Sequence, residues 1–509
     1  MTNCTGKAFA VFCFVLGLCL SASAGIPHSG AQLHIGSLLE QEPLKSGVVG
    51  VMAVTFSGDT LVDVNSSARM VPASNMKLLT TGSALKLLGP DFRFETRLAY
   101  DGAVIDSTLV GDLYIVGGGD PTTGAEVDCA EGTATLFGKW MRLLRKSGIK
   151  AIRGRIIGDP RFFSGDPDNW SWTYDDLGTY YGSGPSGLNF FENAQHLTIA
   201  PGPVPGSPVS VEAVYPEAPW LHLSSTCETS RARSGDGSVY VDSDLAPYGE
   251  LRGFYAVDAR RKTLECSNRF GAYTCAWYFR RYLTENGFPV NGPAADVSRA
   301  GKVRSDLSSL DGDDAKPASV LVNIGSTWSG RLAEIVSETN HNSDNFFAEA
   351  LFHMIGKKMQ NSARYDSCYV AEYDVLKSLG IPSMSGCNIQ DGSGLSRKNY
   401  VSPEFFVRFL RAMAGTPVYR CFLYSLPQPG GPGTLEYRMK ASPDSVKERI
   451  HMKSGSMNGV RCFSGYIEPR DGNPDHTIAF SLMTNNITAG SWTMTPIIDD
   501  ILASIAAEN

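Results

Sequence analysis

The sequence lacks features that mark several large classes of protein. Its 45 lysines and arginines do not outnumber its 52 aspartates and glutamates, and the formal charge of -7 is spread along the chain without a basic stripe. A nucleic acid is therefore not expected as a partner. No Cys-x-x-Cys pair or histidine-rich cluster occurs, so the sequence predicts no metal site.

Long apolar runs are also missing, except at the N-terminus. There Lys7 precedes an apolar run over 8–20, and the small residues Ala22 and Ala24 follow. This pattern predicts a secretory signal peptide over 1–24, because the run is too short for a comfortable membrane span. The mature protein is therefore expected to be periplasmic or otherwise extracytoplasmic, without a stable membrane span.

Cysteine is not scarce, but its pairing is left open. An even number of cysteines in an exported chain permits disulfides, and buried free thiols are the alternative. Spacing does not decide between them. The eight cysteines beyond the signal are Cys129, Cys227, Cys266, Cys275, Cys368, Cys387, Cys421 and Cys462.

The 509 residues exceed one ordinary domain, and 42% hydrophobic with 19% charged residues is typical of a globular chain. Val48–Asn65 has the pattern of two strands around a turn, and Ser74–Leu88 has helical spacing. We predict an α/β fold with an antiparallel sheet flanked by helices. The domain that carries this sheet is predicted to be discontinuous, over 25–91 and 318–509, and 92–317 to be a large, mainly β insertion that forms one or two subdomains.

The C-terminal part is predicted to alternate helices with strands. One helix is expected from about Trp328 through Ser343 to His353, another over Pro403–Ala414, and a last one over Met494–Ala507. Three strand-like runs near the end, IHMKSG, VRCFSGYIE and HTIAFSLMTN, would complete the sheet.

Three short motifs carry the candidate chemistry. They are Ser74-Asn75-Met76-Lys77, Ser343-Asp344-Asn345 and Lys453-Ser454-Gly455. Each motif alone is weak, since Ser-x-x-Lys also begins at Ser83 and at Ser147. Order and context are more informative, because the first motif opens a helix, the second lies in a helical region and the third lies in a strand.

The first motif has the residue types of an activated nucleophile. A serine hydroxyl is a weak nucleophile until a neighbour takes its proton. Residues three apart on a helix share a face, so Lys77 can reach Ser74. A lysine acts as a base only when its pKa is lowered, which burial and a second cation both achieve, and Lys453 would be that cation.

The other motifs would complete a site for acyl transfer. Ser343 can relay the proton to a leaving amine, and Asn345 can donate a hydrogen bond to the substrate's backbone. Ser454, beside the motif lysine, would help to hold a carboxylate. The backbone N–H groups of Ser74 and Ser456 would form the oxyanion hole.

Each of these residues also has a purely structural interpretation. Ser74 could cap a helix beside a solvated lysine, Ser343 could belong to a polar helix face, and Lys453 could be a solvated strand residue. The ordered appearance of all three motifs favours the functional interpretation.

The three motifs together form the signature of penicillin-binding proteins and serine β-lactamases. Longer blocks resemble one branch, the class C low-molecular-mass penicillin-binding proteins, which are D-alanyl-D-alanine carboxypeptidases and endopeptidases. The blocks are PASNMKLLTTGSAL, GDLYIVGGGDPT, YYGSGPSGLNFFENA, TNHNSDNFFAEAL, DGSGLSRKNYVSP and MKSGSMNGVRCFSGYI. The resemblance implies a β-lactamase/transpeptidase-like domain, and the family's long insertion between the first two motifs matches the span from Lys77 to Ser343.

The resemblance also implies the binding residues. It assigns substrate binding to Ser454, Gly455, Ser456, Arg397 and Met457, the last two at a pocket for the peptide side chain. A surface arginine and a packed methionine are the alternatives for that pair. Ser454 stands where the family usually has threonine, although a hydroxyl remains, and 201–258 matches the family poorly.

By this resemblance the chain is expected to be an exported serine DD-peptidase. It would hydrolyse peptidoglycan stem peptides through a Ser74 acyl-enzyme, would be inhibited by β-lactams, and would need no metal or organic cofactor. A β-lactamase or esterase on the same scaffold stays open, because the sequence does not reveal the deacylating base. A non-catalytic peptidoglycan-binding or sensor protein is a further alternative, against which the intact motifs argue. The sequence does not decide between a monomer and a homodimer.

Overall fold

The computed structural model describes residues 29–243, 246–305, 315–381 and 384–509. The predicted signal peptide, 1–24, lies outside these residues. The α-helices in the described residues are α1 (Gly30–Leu39), α2 (Met76–Leu88), α3 (Thr133–Lys146), α4 (Gly271–Glu285), α5 (Leu332–His341), α6 (Asn345–Gln360), α7 (Tyr365–Ser378), α8 (Pro403–Ala414), α9 (Tyr419–Tyr424), α10 (Asp444–Lys447) and α11 (Ser491–Ala506).

The described residues contain 24 β-strands, numbered in chain order. The first twelve are β1 (Val48–Thr55), β2 (Thr60–Val64), β3 (Glu95–Tyr100), β4 (Ala103–Ile105), β5 (Thr108–Val110), β6 (Leu113–Val116), β7 (Ala151–Ile152), β8 (Ile156–Asp159), β9 (Ala194–Ala200), β10 (Ser210–Tyr215), β11 (His222–Ser225) and β12 (Glu228–Ser230). The others are β13 (Val239–Asp242), β14 (Tyr248–Arg252), β15 (Phe254–Ala256), β16 (Lys262–Ser267), β17 (Ala294–Val297), β18 (Val303–Arg304), β19 (Val322–Trp328), β20 (Cys387–Asn388), β21 (Tyr400–Val401), β22 (Ile450–Met457), β23 (Val460–Ile467) and β24 (Ile478–Asn485).

One antiparallel sheet joins the two ends of the chain. Its order is β2-β1-β24-β23-β22, and each neighbouring pair is antiparallel. Every residue of β24 is buried, because helices cover both faces of the sheet. Ala479 and Met483 pack into the core that contains α2 and α5–α9, whereas Ile478, Phe480 and Leu482 pack toward α1 and α11. The predicted antiparallel sheet flanked by helices is confirmed.

The central helix α2 is buried on all sides. All residues from Met76 to Leu85 are buried, as expected for a helix inside a core rather than at its surface. The α-helix begins at Met76, two residues later than predicted, because Ala73–Asn75 form a short 3-10 turn. This turn places Ser74 at the entrance of the helix.

The prediction of one helix over 328–353 is wrong. Trp328 ends β19, α5 ends at His341, and α6 begins at Asn345. Ser343 has a left-handed backbone with φ of 60°, which interrupts the helical path. The side chain of Asp344 then caps α6 by accepting a hydrogen bond from the N–H of Phe347 at 2.7 Å.

The segment between the first two motifs is rich in strands. A mixed sheet of order β18-β17-β8-β6-β3-β19 packs against α3 and α4. Three smaller sheets follow, β10-β9-β16, β11-β14-β13 and β12-β15. β19 lies C-terminal to residue 317 and pairs antiparallel with β3. The division of the chain at 91 and 318 stays a prediction.

Two sequence expectations concern the described residues as a whole. All eight cysteines beyond the signal are free thiols, the alternative to disulfides that the sequence left open. None of the helices in the described part of the chain is long and apolar enough to cross a membrane.

Candidate active site

Ser74 lies in a tight turn where three structural elements meet. Ala73 before it has φ of 46°, in the left-handed region, and Pro72 precedes the 3-10 turn. Ser74 keeps partial exposure, whereas Lys77 is fully buried. Asn75 anchors the turn to the sheet by donating from Nδ2 to Ser464 Oγ at 2.8 Å.

Two glycines allow other segments to approach this turn. A Cβ at Gly455 would lie 2.6 Å from the carbonyl oxygen of Pro72 and 3.0 Å from the backbone N of Ser74. A Cβ at Gly394, whose φ is 87°, would lie 1.9 Å from the carbonyl oxygen of Ala73. Both positions therefore exclude a side chain, and the third motif runs directly beside the serine.

Lys77 connects the first motif to the second. Its Nζ donates to Ser74 Oγ at 3.1 Å, to Asn345 Oδ1 at 2.6 Å and to the carbonyl oxygen of Ser393 at 2.8 Å. Burial lowers the pKa of Lys77 from an ordinary 10.5 to about 8. The nearby carboxylates oppose this shift, foremost Asp344. A neutral amine that can accept the serine proton is thus accessible near neutral pH.

Lys453 lies on β22 and connects the third motif to the second. Its Nζ donates to Ser343 Oγ at 2.9 Å and to the carbonyl oxygen of Ser454 at 2.7 Å. Burial, and after it the charge of Lys77, hold the pKa of Lys453 well below its usual range. Burial is the leading cause of the lowered pKa of Lys77. Burial, rather than the charge of Lys453 that the sequence suggested, therefore makes the neutral amine of Lys77 accessible.

Asn345 is held between two elements. Its Oδ1 accepts from Lys77, and its Nδ2 donates to the carbonyl oxygen of Tyr181 at 3.0 Å. The predicted donor to a substrate backbone therefore has a protein partner, from the short 3-10 turn Tyr180–Gly182. A substrate carbonyl would compete with Tyr181 for this N–H.

The predicted binding residues line the end of β22. Ser454 Oγ donates to Thr434 Oγ1 at 3.1 Å, Ser456 is exposed, and Met457 is half-buried against the core. Arg397 is exposed, and both Nη groups of its guanidinium donate to the carbonyl oxygen of Asn458, at 3.5 and 3.4 Å. Arg397 and Met457 thus approach the same turn after the third motif.

Two residues near Lys77, Ser393 and Asp391, were not predicted to belong to the site. Ser393 belongs to the quoted block DGSGLSRKNYVSP, and its carbonyl oxygen accepts a hydrogen bond from Lys77. Asp391, at the start of that block, is buried and accepts from the N–H groups of Gly394 and Ser396 at 2.8 and 2.6 Å. A carboxylate followed closely by two glycines, as in this block, is a signal for a tight buried loop.

Glu192 forms a buried carboxyl pair with Asp344, next to the second motif. Burial, then the charge of Asp344, raise the pKa of Glu192 to about 9, so Glu192 holds the proton and hydrogen-bonds to Asp344. Glu192 lies in the quoted block YYGSGPSGLNFFENA, but nothing in its local pattern indicates this contact. Its carboxyl supports the residue between Ser343 and Asn345.

Within the described residues, no group of three or more His, Cys, Asp or Glu side chains is placed to hold a metal ion. The site consists instead of a partly exposed serine, two buried lysines, a second serine and an amide. These groups can accept a proton from the first serine and pass a proton through the second. Fold and site together define a class, an α/β protein whose groups are arranged for acyl transfer at a serine.

The chain belongs to the D-Ala-D-Ala carboxypeptidase 3 (S13) family, which it matches over residues 31–505. The resemblance to class C penicillin-binding proteins is thereby confirmed, and the chain is a serine hydrolase of this family. The D-alanyl-D-alanine carboxypeptidase of Actinomadura sp. (strain R39) is 29% identical over 476 residues, 90% of this chain and 82% of that protein.

Solved structures show the same fold. Penicillin binding protein 4 (dacB) from Haemophilus influenzae superposes with a TM-score of 0.76 at 22% identity, over 93% of this chain and 98% of that chain. The structure of that protein complexed with a novel β-lactam gives a TM-score of 0.71 at 21% identity, over 93% and 99%. The predicted fold class, with its large extra β subdomains, is confirmed.

Proposed function

We propose that this serine hydrolase cleaves the terminal D-Ala-D-Ala bond, or a D-amino acid cross-link, of peptidoglycan stem peptides, with Ser74 as its nucleophile. The observation that carries the proposal is two sets of hydrogen bonds that meet at the second motif. Ser74 contacts Lys77, Lys77 contacts Asn345, and Lys453 contacts Ser343 beside them. These bonds join all three motifs around a partly exposed hydroxyl.

In the first step, Ser74 Oγ attacks the carbonyl carbon of the scissile bond. The hydroxyl proton passes to the neutral amine of Lys77, 3.1 Å away. The backbone N–H groups of Ser74 and Ser456 are the proposed donors to the oxyanion. Gly455 supports this arrangement, because only glycine lets β22 lie close enough to the serine turn.

In the second step, the C–N bond breaks and the departing amine takes a proton through Ser343. The terminal carboxylate of the substrate binds Lys453 and Ser454. That carboxylate would favour the charged form of Lys453, whose pKa burial otherwise lowers. Water then hydrolyses the ester between the acyl group and Ser74.

The substrate side chain would lie beside Arg397 and Met457, which approach one turn at the end of β22. β-Lactams combine a reactive amide with a carboxylate, so they are proposed to acylate Ser74 as substrate mimics. The β-lactam complex of the Haemophilus relative supports this inference. Because peptidoglycan lies outside the cytoplasm, we place the protein there, delivered by the predicted signal of 1–24.

We also propose the two-part catalytic domain, 25–91 and 318–509, with 92–317 inserted. The five-stranded sheet supports it, since β1 and β2 come from the first part and β22–β24 from the second. β19 is an exception, because it lies in the second part but pairs with β3 of the insertion.

Digestion of defined muropeptides, read by mass spectrometry, tests the proposal. Wild type should release D-alanine or split cross-links, and Ser74→Ala should not. Ser147→Ala is the matched control, because Ser147 begins another Ser-x-x-Lys but is exposed after α3, and it should retain activity. Equal product from wild type and Ser74→Ala would exclude the mechanism.

Fluorescent penicillin separates the alternatives. A DD-peptidase should hold the acyl group for minutes or longer, whereas rapid turnover would favour a β-lactamase or esterase. No labelling of folded wild type would favour a binding or sensor protein.

A further inference from the structure

One large cavity lies away from Ser74. Its volume is about 620 Å³, and no residue of the three motifs lines it. Its walls come from four segments, within 160–167, 183–186, 268–272 and 296–304, from Asn193, and from His353 of α6. We call it the insertion cavity. Its size is that of a small-molecule site, for which about 300–1,000 Å³ is usual.

His353 lines this cavity and carries a buried, unused acceptor. The ring is 2% exposed, and its Nδ1 donates to the carbonyl oxygen of Ala363 at 2.5 Å. Burial lowers the pKa of His353 to about 4, so the ring is neutral at pH 7 and Nε2 carries a lone pair. Nε2 has no hydrogen-bond partner among the described residues. A ligand O–H or N–H would satisfy it.

The guanidinium groups around the cavity are all paired. Each guanidinium at its wall is bonded to a carboxylate, and the pairs are Arg161 with Asp159, Arg269 with Asp168 and Asp242, Arg299 with Asp166, and Arg304 with Asp296. Such pairs leave no strong attraction for an anion or a cation. The cavity therefore suits a neutral ligand that offers hydrogen bonds.

The rest of the wall combines aromatic faces with amides. Phe163 packs on His353 with ring centroids 5.5 Å apart, and Arg304 lies 5.4 Å over the ring of Phe270. Asn268 adds an amide group to the wall, and the Asn193 amide bonds within the protein. An N-acetylated pyranose fits this wall, since it is neutral and its hydroxyls and acetamide exchange hydrogen bonds with amide, guanidinium and carboxylate groups.

The cavity is connected to the second motif by α6. His353 follows Asn345 by eight residues on α6, which is roughly 12 Å at the rise of a helix. The extended stem between the sugar and the terminal D-Ala-D-Ala bond has roughly four residues and spans about 13 Å. Tyr181 contacts Asn345, and Ser183, two residues later, lines the cavity.

We propose that the insertion cavity binds the N-acetylated sugar to which the stem peptide is attached. This inference rests on the proposed function, because it assumes that peptidoglycan is the substrate. It gives part of the inserted region a role in recognition, in which the sugar anchors the stem while the peptide end reaches Ser74.

Three probes test it, namely a disaccharide-pentapeptide, the free pentapeptide, and the peptide-free N-acetylglucosaminyl-N-acetylmuramic acid methylamide. Calorimetry measures binding of the last to wild type, and D-alanine release gives KM for the first two. We expect the disaccharide to bind, and the disaccharide-pentapeptide to have a KM about tenfold below that of the pentapeptide.

Two variants locate the effect. Ser298→Trp fills the cavity from a half-buried wall position, and His353→Phe keeps a ring but removes the acceptor. Both variants should weaken disaccharide binding and reduce the difference in KM between the disaccharide-pentapeptide and the free pentapeptide. Ser210→Trp, at an exposed position of β10 outside the cavity, is the control and should keep both. Labelling of Ser74 by fluorescent penicillin reports whether each variant has folded.

The outcomes separate this inference from the proposed function. Equal KM values for the two substrates in wild type, or disaccharide binding that Ser298→Trp does not change, would overturn the sugar site and leave the peptidase intact. Binding of the free pentapeptide in the cavity would overturn it as well. If wild type releases no D-alanine from either substrate, the proposed function fails, and with it the premise of the sugar site.

Discussion

Replacing Lys77 with arginine tests whether a lysine of lowered pKa removes the proton from Ser74. Arginine keeps a positive charge and donors for Asn345, but it stays protonated in proteins. With a pKa of about 8, roughly a tenth of Lys77 is neutral at pH 7, against about one part in three thousand at an ordinary 10.5. Burial thus increases the population of the base by about 300-fold.

The assay is the acylation rate with fluorescent penicillin between pH 5.5 and 10, measured by rapid mixing. The reactive form is the neutral amine, so the rate should rise about tenfold per pH unit below 8 and level off between about pH 8 and 9. Lys77→Arg should lose at least about a hundredfold at pH 8. Lys86→Arg is the matched control, because Lys86 ends the Ser83 motif on the same helix but is exposed.

Three results would refute the reasoning. An acylation rate that does not change between pH 6 and 9 would mean that no group with the pKa of Lys77 is involved. Wild-type rates in Lys77→Arg would mean that the proton leaves Ser74 by another route. A rise centred near pH 10 would show that burial does not lower the pKa as the geometry implies.

Three further outcomes follow from the packing of the site. Gly455→Ala forces a Cβ against the backbone of the serine turn and should cost ~1–3 kcal/mol of stability together with most acylation. Gly36→Ala, inside α1 with nothing within 4 Å, should not lower stability in calorimetry and should keep labelling, because alanine favours a helix over glycine. Glu192→Gln keeps a donor to Asp344 and should acylate at almost the wild-type rate. Its acylation rate should also persist above pH 9, where the wild-type rate falls because Glu192 ionises. Glu192→Ala should acylate at least about tenfold more slowly, since Asp344 loses a buried partner. The unfolded lysine titrates near 10.5 and folded Lys77 near 8, so wild-type stability should rise with pH between these values. The stability of Lys77→Met should rise less steeply, because only Lys453 then contributes; equal pH dependence in thermal unfolding would contradict this.

The sequence predicted which side chains meet, but not the backbone that brings them together. The order of the motifs was sufficient to group Ser74, Lys77, Ser343 and Lys453, because nucleophile, base and relay must be neighbours for acyl transfer. The hydrophobic pattern around Ser343 is helical on both sides, so periodicity predicted one helix through it. A left-handed serine costs energy locally, and only its contact with Lys453 and the cap at Asp344 compensate, which are tertiary effects.

The backbone that positions Glu192 was also not predicted from the sequence. Phe191, Glu192 and Asn193 have φ of 52°, 54° and 47°, although no glycine is present and each such residue costs roughly 1–3 kcal/mol. Asn193 stabilises the turn by donating to the carbonyl oxygen of Gly184 and to Asn189 Oδ1, each at 3.1 Å. A simple reversal of the chain could use glycines at no such cost. This turn instead directs the Glu192 carboxyl toward Asp344, in the motif that contacts both lysines, so its strain is best explained by the positioning of the active site.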